Sequence, residues 1–295
     1  MTARTSLTPL ILSLCLAAAA GCGGDDSSEG MPDAGGDLDG PTGGVLGDWT
    51  IASIDLEGTT HTRGASAGVA GRISISPTQL HVELIKLMAG LPIGSVDAMM
   101  FDLVIDGDAL LASGGDATYV FRGGLAGDRL TLTFDADDPR TTDPDAPPTI
   151  VLDRAPALSP SLPGGYRALS MLTNAGRVTT GTCVALVPPR GANVAVRYDV
   201  ELDVSPRLIL EVRQRGTYYT DAACATTGTS MSDGATALIE VDGTDIDLFL
   251  EPHQGEVTGE IEAYRVADGA SATIVWTRVG CPGCDGPQEL VLQRR

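Results

Sequence analysis

Aromatic side chains are scarce in this sequence: tryptophan, tyrosine and phenylalanine together make up 4% of 295 residues. That leaves little of the stacking surface expected of a sugar-binding lectin or a binder of single-stranded nucleic acid. Basic residues are also few, 19 against 39 acidic ones, and Lys86 is the only lysine. The resulting formal charge of -20 repels phosphate backbones and anionic head groups, so no nucleic-acid partner is expected. No apolar run reaches the ~20 residues that span a bilayer as a helix. His61, His81 and His253 stand far apart without metal-ligand spacing.

Several strings come close to chemistry and miss it. Gly64-Ala65-Ser66-Ala67-Gly68 has the hydrolase spacing, but polar Thr59 to Arg63 precede it where the nucleophile elbow needs an apolar strand, and no helical pattern follows. The stretch Asp135-Ala136-Asp137-Asp138-Pro139-Arg140, with Asp143 and Asp145, is rich in oxygen ligands. It has Arg140 where a calcium loop needs glycine and Ala146 where it needs a bidentate glutamate, so it reads as a solvated acidic loop. Cys281-Pro-Gly-Cys284 lies among Gly280, Gly286 and Pro287 rather than at a helix N-terminus, which would lower a thiol pKa. No histidine follows it, so covalent haem attachment is excluded. The expectation is a protein with no catalytic residue, no metal and no cofactor, hence not an enzyme.

What is present begins at the N-terminus. Arg4 precedes an apolar run from Leu7 to Ala20, which ends in Leu16-Ala-Ala-Ala-Ala-Gly-Cys22. This stretch resembles the lipobox of bacterial lipoproteins. The resemblance implies cleavage after Gly21, so that residues 1–21 are a signal peptide, and acylation of Cys22. Such a cysteine carries three fatty chains such as palmitate, and two or more hold a protein firmly on a membrane. Gly23, rather than the aspartate that retains many lipoproteins at the inner membrane, leans toward an outer-membrane destination facing the periplasm or the surface. Residues 23–44 are rich in Gly, Asp and Ser and nearly devoid of apolar side chains, so they cannot offset their ordering entropy. They read as a disordered tether with a root-mean-square span of roughly 25 Å.

From residue 45 the pattern changes to short alternating runs broken by Gly, Pro and Asp. Phe101, Leu103 and Ile105 alternate with Asp102, Val104 and Asp106; Val194 to Val204 alternate without a break. Period two marks half-buried antiparallel strands. Strands are expected near 48–56, 70–76, 79–88, 96–106, 108–112, 117–122, 128–135 and 148–153, then across 194–204, 208–212, 246–250, 257–266, 270–279 and 288–293. Leu80, Leu84, Leu87 and Met88 also fit a helical face, so 80–88 could be helix or strand. The prolines between Arg154 and Pro163 mark a boundary, dividing the chain into domains at 45–156 and 157–295.

The two sets of strands look like divergent copies of one unit. Leu46-Gly47-Asp48-Trp49 opens the first and Pro163-Gly164-Gly165-Tyr166 the second; Ile150-Val151-Leu152-Asp153-Arg154 closes the first and Leu290-Val291-Leu292-Gln293-Arg294 the second. A Gly-x-Trp at the first strand and an arginine after the last is similar to the lipocalin pattern. That resemblance implies two tandem antiparallel barrels, with Arg154 over Trp49 and Arg294 over Tyr166. The residues alone leave barrel or sandwich open. Val45 stands where the family usually has Asn, and its Thr-Asp-Tyr turn and following helix are absent.

Downstream of Cys22 four cysteines remain, an even number in an exported chain, so disulfides are the default. Three pairings are possible; Cys183 with Cys224 and Cys281 with Cys284 is preferred. The function expected is that of an envelope lipoprotein serving as a non-catalytic binding or interaction module, toward another envelope protein. The alternatives are a lipocalin-like carrier of a small apolar ligand and an envelope enzyme with an unrecognised site.

Overall fold

The computed structural model describes residues 44–56, 58–64, 66–144, 146–156, 162–173, 176–280 and 287–295. Cys22, the expected signal peptide, the stretch up to residue 43 expected to be a tether, and Cys281 and Cys284 lie outside these residues. Every regular element among the described residues is a strand.

The first half runs β1 (Gly47–Leu56), β2 (Thr59–Thr62), β3 (Val69–Ile75), β4 (Gln79–Met88), β5 (Leu91–Asp106), β6 (Ala109–Gly114), β7 (Ala117–Ala126), β8 (Arg129–Phe134) and β9 (Thr149–Arg154). Strands β3 to β9 form an antiparallel meander, β1 pairs with both β3 and β9, and the sheet closes into an eight-strand barrel. Short β2 sits outside this ring, paired to the second half of β1.

The second half repeats the plan with β10 (Gly164–Thr173), β11 (Gly176–Thr179), β12 (Val184–Arg190), β13 (Asn193–Val204), β14 (Ile209–Tyr219), β15 (Thr227–Asp242), β16 (Asp245–Leu250), β17 (Ile261–Asp268), β18 (Thr273–Arg278) and β19 (Glu289–Arg294). Here β10 closes the ring by pairing with β13 and β19. Both domains are therefore closed antiparallel β-barrels of lipocalin-like plan, and not sandwiches. Closure removes the unpaired edges of the barrel sheets.

The copies agree in register. Trp49 faces Arg154 and Ile51 faces Leu152, with a bulge before Ser53; Tyr166 faces Arg294 and Ala168 faces Leu292, with a bulge before Ser170. Each copy turns at a Ser-Pro, where Ser76 N–H donates to Gln79 O and Ser205 N–H to Ile209 O. Strands β5 and β15 are both 16 residues long, and each ends in an Asp-Gly turn. Gly107 and Gly243 both adopt φ 63°, the positive value that lets a two-residue turn match strand twist.

Leu80 to Met88 is strand, with an irregularity between Leu84 and Lys86 where β4 meets β5. Beyond the expected strand ranges the structure adds β2, β10, β11, β12 and β15. Thr227 to Gly234 of β15 are exposed throughout and carry no alternation of apolar and polar residues. They extend the β14–β15 hairpin past the barrel. The Cys183–Cys224 disulfide ties the residue preceding β12 to the tip of that hairpin.

Candidate functional site

Each barrel is sealed at one end by the aromatic residue of its first strand. Trp49 is fully buried and its indole N–H donates to Val45 O at 2.8 Å; Tyr166 is fully buried and its hydroxyl donates to Leu162 O at 2.6 Å. The guanidinium of Arg154 lies 4.2 Å from the Trp49 ring centroid and that of Arg294 5.7 Å from the Tyr166 ring. Arg154 also donates to Gly44 O, and Arg294 to Pro163 O. The glycine two residues before each aromatic has a steric reason. Gly47 and Gly164 adopt φ +122° and +144°, and a Cβ there would stand 3.3 Å and 3.2 Å from the respective guanidinium. These four residues, picked out by the resemblance, are thus brought together as two structural closures.

The interiors are packed with large side chains. In the first barrel Trp49, Ile51, Ile73, Leu110, Leu130 and Leu152 belong to one apolar cluster, each with at most 2% of its surface exposed. Toward the far end the rings of Phe101 and Tyr119 meet edge to face at 5.9 Å, and Phe121 and Phe134 meet at 5.7 Å. In the second barrel Trp276 and Tyr264 pack at 5.9 Å within an equally buried cluster. The corresponding far end is polar: Arg278 pairs with Glu262 at 3.1 Å, and Tyr264 Oη donates to Glu262 at 2.9 Å. Burial and the adjacent Glu262 charge push the Tyr264 hydroxyl pKa well up, so it remains a donor. Small eight-strand barrels are either filled in this way or hold one ligand.

In the acidic loop Arg122 binds Asp108, Asp135 and Asp138, and Arg140 binds Asp106 and Asp138. Asp138 is buried, and its bonds from Arg140 hold its carboxyl well below the usual range. Arginines therefore occupy Asp135 and Asp138, and Asp143 accepts from the Tyr119 hydroxyl at 2.9 Å, while Asp145 lies outside the described residues. Ser66 of the Gly-x-Ser-x-Gly string lies in the β2–β3 connection, where its carbonyl accepts from Gly90 N–H. His61 bonds to the carbonyl of Ala67. Among the described residues, no group of three or more His, Cys, Asp or Glu is placed to hold a metal ion.

Sequence reasoning missed the seam between the barrels. The outer face of β3 and β4 meets the outer face of β15 and β16 through Ala70, Ile85, Leu87, Leu238 and Phe249. Two buried carboxylates flank this patch. Glu240 accepts from Arg63 Nε at 2.6 Å and from Gly71 N–H at 3.0 Å. Glu83 is fully buried with neither oxygen hydrogen-bonded, its nearest cation being Arg207 Nη1 at 3.4 Å. Burial outweighs the attraction of Arg207 and raises the Glu83 carboxyl to about 7. Arg207 also touches His81 Nδ1 at 3.1 Å, and burial together with that charge lowers the imidazole pKa.

Backbone bonds continue the seam at its edge. Val96 N–H donates to Glu251 at 2.7 Å and Gly259 N–H to Pro92 O at 2.6 Å. Beside them a groove of about 300 Å³ runs between Gly234–Thr236 of β15 and the β16–β17 loop, lined by Glu251, His253, Glu256 and Glu260.

Compared with protein-family models, with curated proteins and with solved structures, the chain matches none.

Proposed function

We propose that this chain is an envelope lipoprotein, held at a membrane by an acylated Cys22, whose two barrels act as a non-catalytic interaction module. The observation that carries the reading is the filling of both barrels. Six interior side chains of the first barrel are within 2% of complete burial, which leaves no water-sized void against them. An apolar carrier needs an empty, lined cavity instead. The lipobox-like stretch supports the anchor, and Gly23 supports an outer-membrane address. The net charge of -20 suits a module that stands off anionic head groups rather than lying on them.

Titration with an environment-sensitive fatty-acid analogue tests the interaction reading: no saturable binding is expected, and one molecule bound per barrel would replace it with the carrier reading. For the anchor, intact mass should show Cys22 as the acylated N-terminus, and Cys22→Ser should release the protein from membranes.

A further inference from the structure

The first half of β15 is an open strand edge. Thr227 to Gly234 pair with β14 on one side, whereas β16 reaches only as far as Ala237 on the other. The direction of the backbone groups follows from two bonds. Thr236 O accepts from Glu251 N–H on the side away from β14, and Gly234 N–H turns onto the carboxylate of its own neighbour Asp233. Alternation then points the N–H and C=O of Ser230 and Ser232 outward as well, as far as the register shift opposite Tyr218, beyond which Thr226 O turns back to accept from Thr220 N–H. Nothing among the described residues pairs with that side, and both are exposed.

The corresponding edge in the first barrel shows how such a site is used. By register with the preceding strand, Pro92, which faces Leu87, corresponds to Ser230, which faces Thr217, and Val96 corresponds to Ser232. Pro92 O and Val96 N–H are both bonded by the second barrel, through Gly259 and Glu251. The same edge is thus covered in one copy and uncovered in the other. Unlike most exposed edges, this one has no proline or lysine to block pairing, and Met231 is 64% exposed on it. The open edge leads into the groove whose walls carry Glu251, Glu256 and Glu260.

We propose that the β15 edge from Ser230 to Gly234 docks an extended, basic segment of a partner protein, which adds as a strand and places its cations in the Glu256–Glu260 groove. This rests on the interaction-module reading and gives it a location. Main-chain bonds supply affinity in such strand addition, and side-chain pockets supply selectivity. Charge selects the occupant: a second copy would bring another -20 to the same edge, and an acidic segment would face three carboxylates.

The test is amide hydrogen exchange on the purified full chain, with a synthetic peptide of alternating lysine and valine as probe. Exchange at Ser230 and Ser232 should slow about tenfold or more when the peptide is bound. A peptide of the same sequence N-methylated on alternate amides should give no protection, and Glu256→Gln with Glu260→Gln should weaken binding severalfold. Equal protection by a glutamate–valine peptide would overturn the proposal. So would a peptide-free dimer with these amides already protected. Peptide binding with protection elsewhere would overturn the edge assignment yet leave the interaction-module reading standing, whereas a fatty acid found inside a barrel would remove that reading alone.

Discussion

Arg207, on the turn between β13 and β14 of the second barrel, stands 3.4 Å from the buried Glu83 carboxylate on β4 of the first. The contact joins two domains across the seam, and it does not satisfy the carboxylate, whose oxygens accept no hydrogen bond. A charge buried this way costs more than its single ion pair returns.

The folded-state pKa of Glu83 is raised to about 7 from an ordinary 4.5. A raised pKa means that the folded state holds the proton more tightly than the unfolded chain. Stability from this group is full below pH 4.5 and is lost as pH rises through 7. Glu83→Gln should therefore leave Tm nearly unchanged at pH 5 and raise it at pH 8, by up to about 3 kcal/mol of stability. Thermal melts at the two pH values check this; a variant that loses stability equally at both would contradict it.

The closures make a second prediction. Trp49→Ala should cost roughly 3–5 kcal/mol, as expected for a large buried aromatic. Arg154→Ala should cost about 1–2 kcal/mol through lost ring and carbonyl contacts. Gly47→Ala and Gly164→Ala should each destabilise as well, since both positions combine positive φ with a guanidinium close to the new Cβ. Denaturant unfolding of the variants measures these losses.

A third prediction concerns the disulfide. Cys183 and Cys224 are 41 positions apart, and closing such a loop stabilises by about 3–4 kcal/mol in the chain-entropy model. The double Ser variant should speed amide exchange in the extended β14–β15 hairpin and lower the second barrel's unfolding midpoint. The first barrel's own amides should be nearly unaffected.

The acidic loop gives a fourth. Asp138 has a depressed pKa because Arg140 bonds its carboxylate, so its contribution is present above the ordinary carboxylate range and fades as pH falls through the folded value. Removing one cation, by Arg140→Ala, should shift acid unfolding to higher pH. Far-ultraviolet circular dichroism across an acid titration reads that shift.

The legible parts of the fold were those where burial is one-sided. Val194 to Val204 alternate because one face packs inward and the other meets water, and the strand falls where that pattern puts it. The openings at Trp49 and Tyr166 were legible because a closed barrel needs its first and last strands in register. The helix-like spacing of Leu80, Leu84, Leu87 and Met88 arose from a different cause. Strand β4 is covered on both faces, Leu84 by the barrel core and Ile85 and Leu87 by the seam, which erases period two.

The same breach of alternation marks Ala237-Leu238-Ile239 and Leu248-Phe249-Leu250, the other side of the seam. Runs of this kind were the available signal for an inter-barrel contact. Glu83 and Glu240 gave none, since a glutamate in an alternating strand reads as solvent-facing. Thr227 to Gly234 were invisible for the opposite reason: with both faces exposed, their strand state follows from pairing with β14 and from the disulfide-tied hairpin, not from any apolar pattern.

The central claim is that both barrels are filled and that this protein acts through its surface. Native mass spectrometry of the protein purified from its own membranes, followed by organic extraction, tests it most directly. The account predicts the mass of the polypeptide with its N-terminal acyl groups and no other bound molecule. A stoichiometric apolar compound, released by extraction and restored by adding it back, would contradict it.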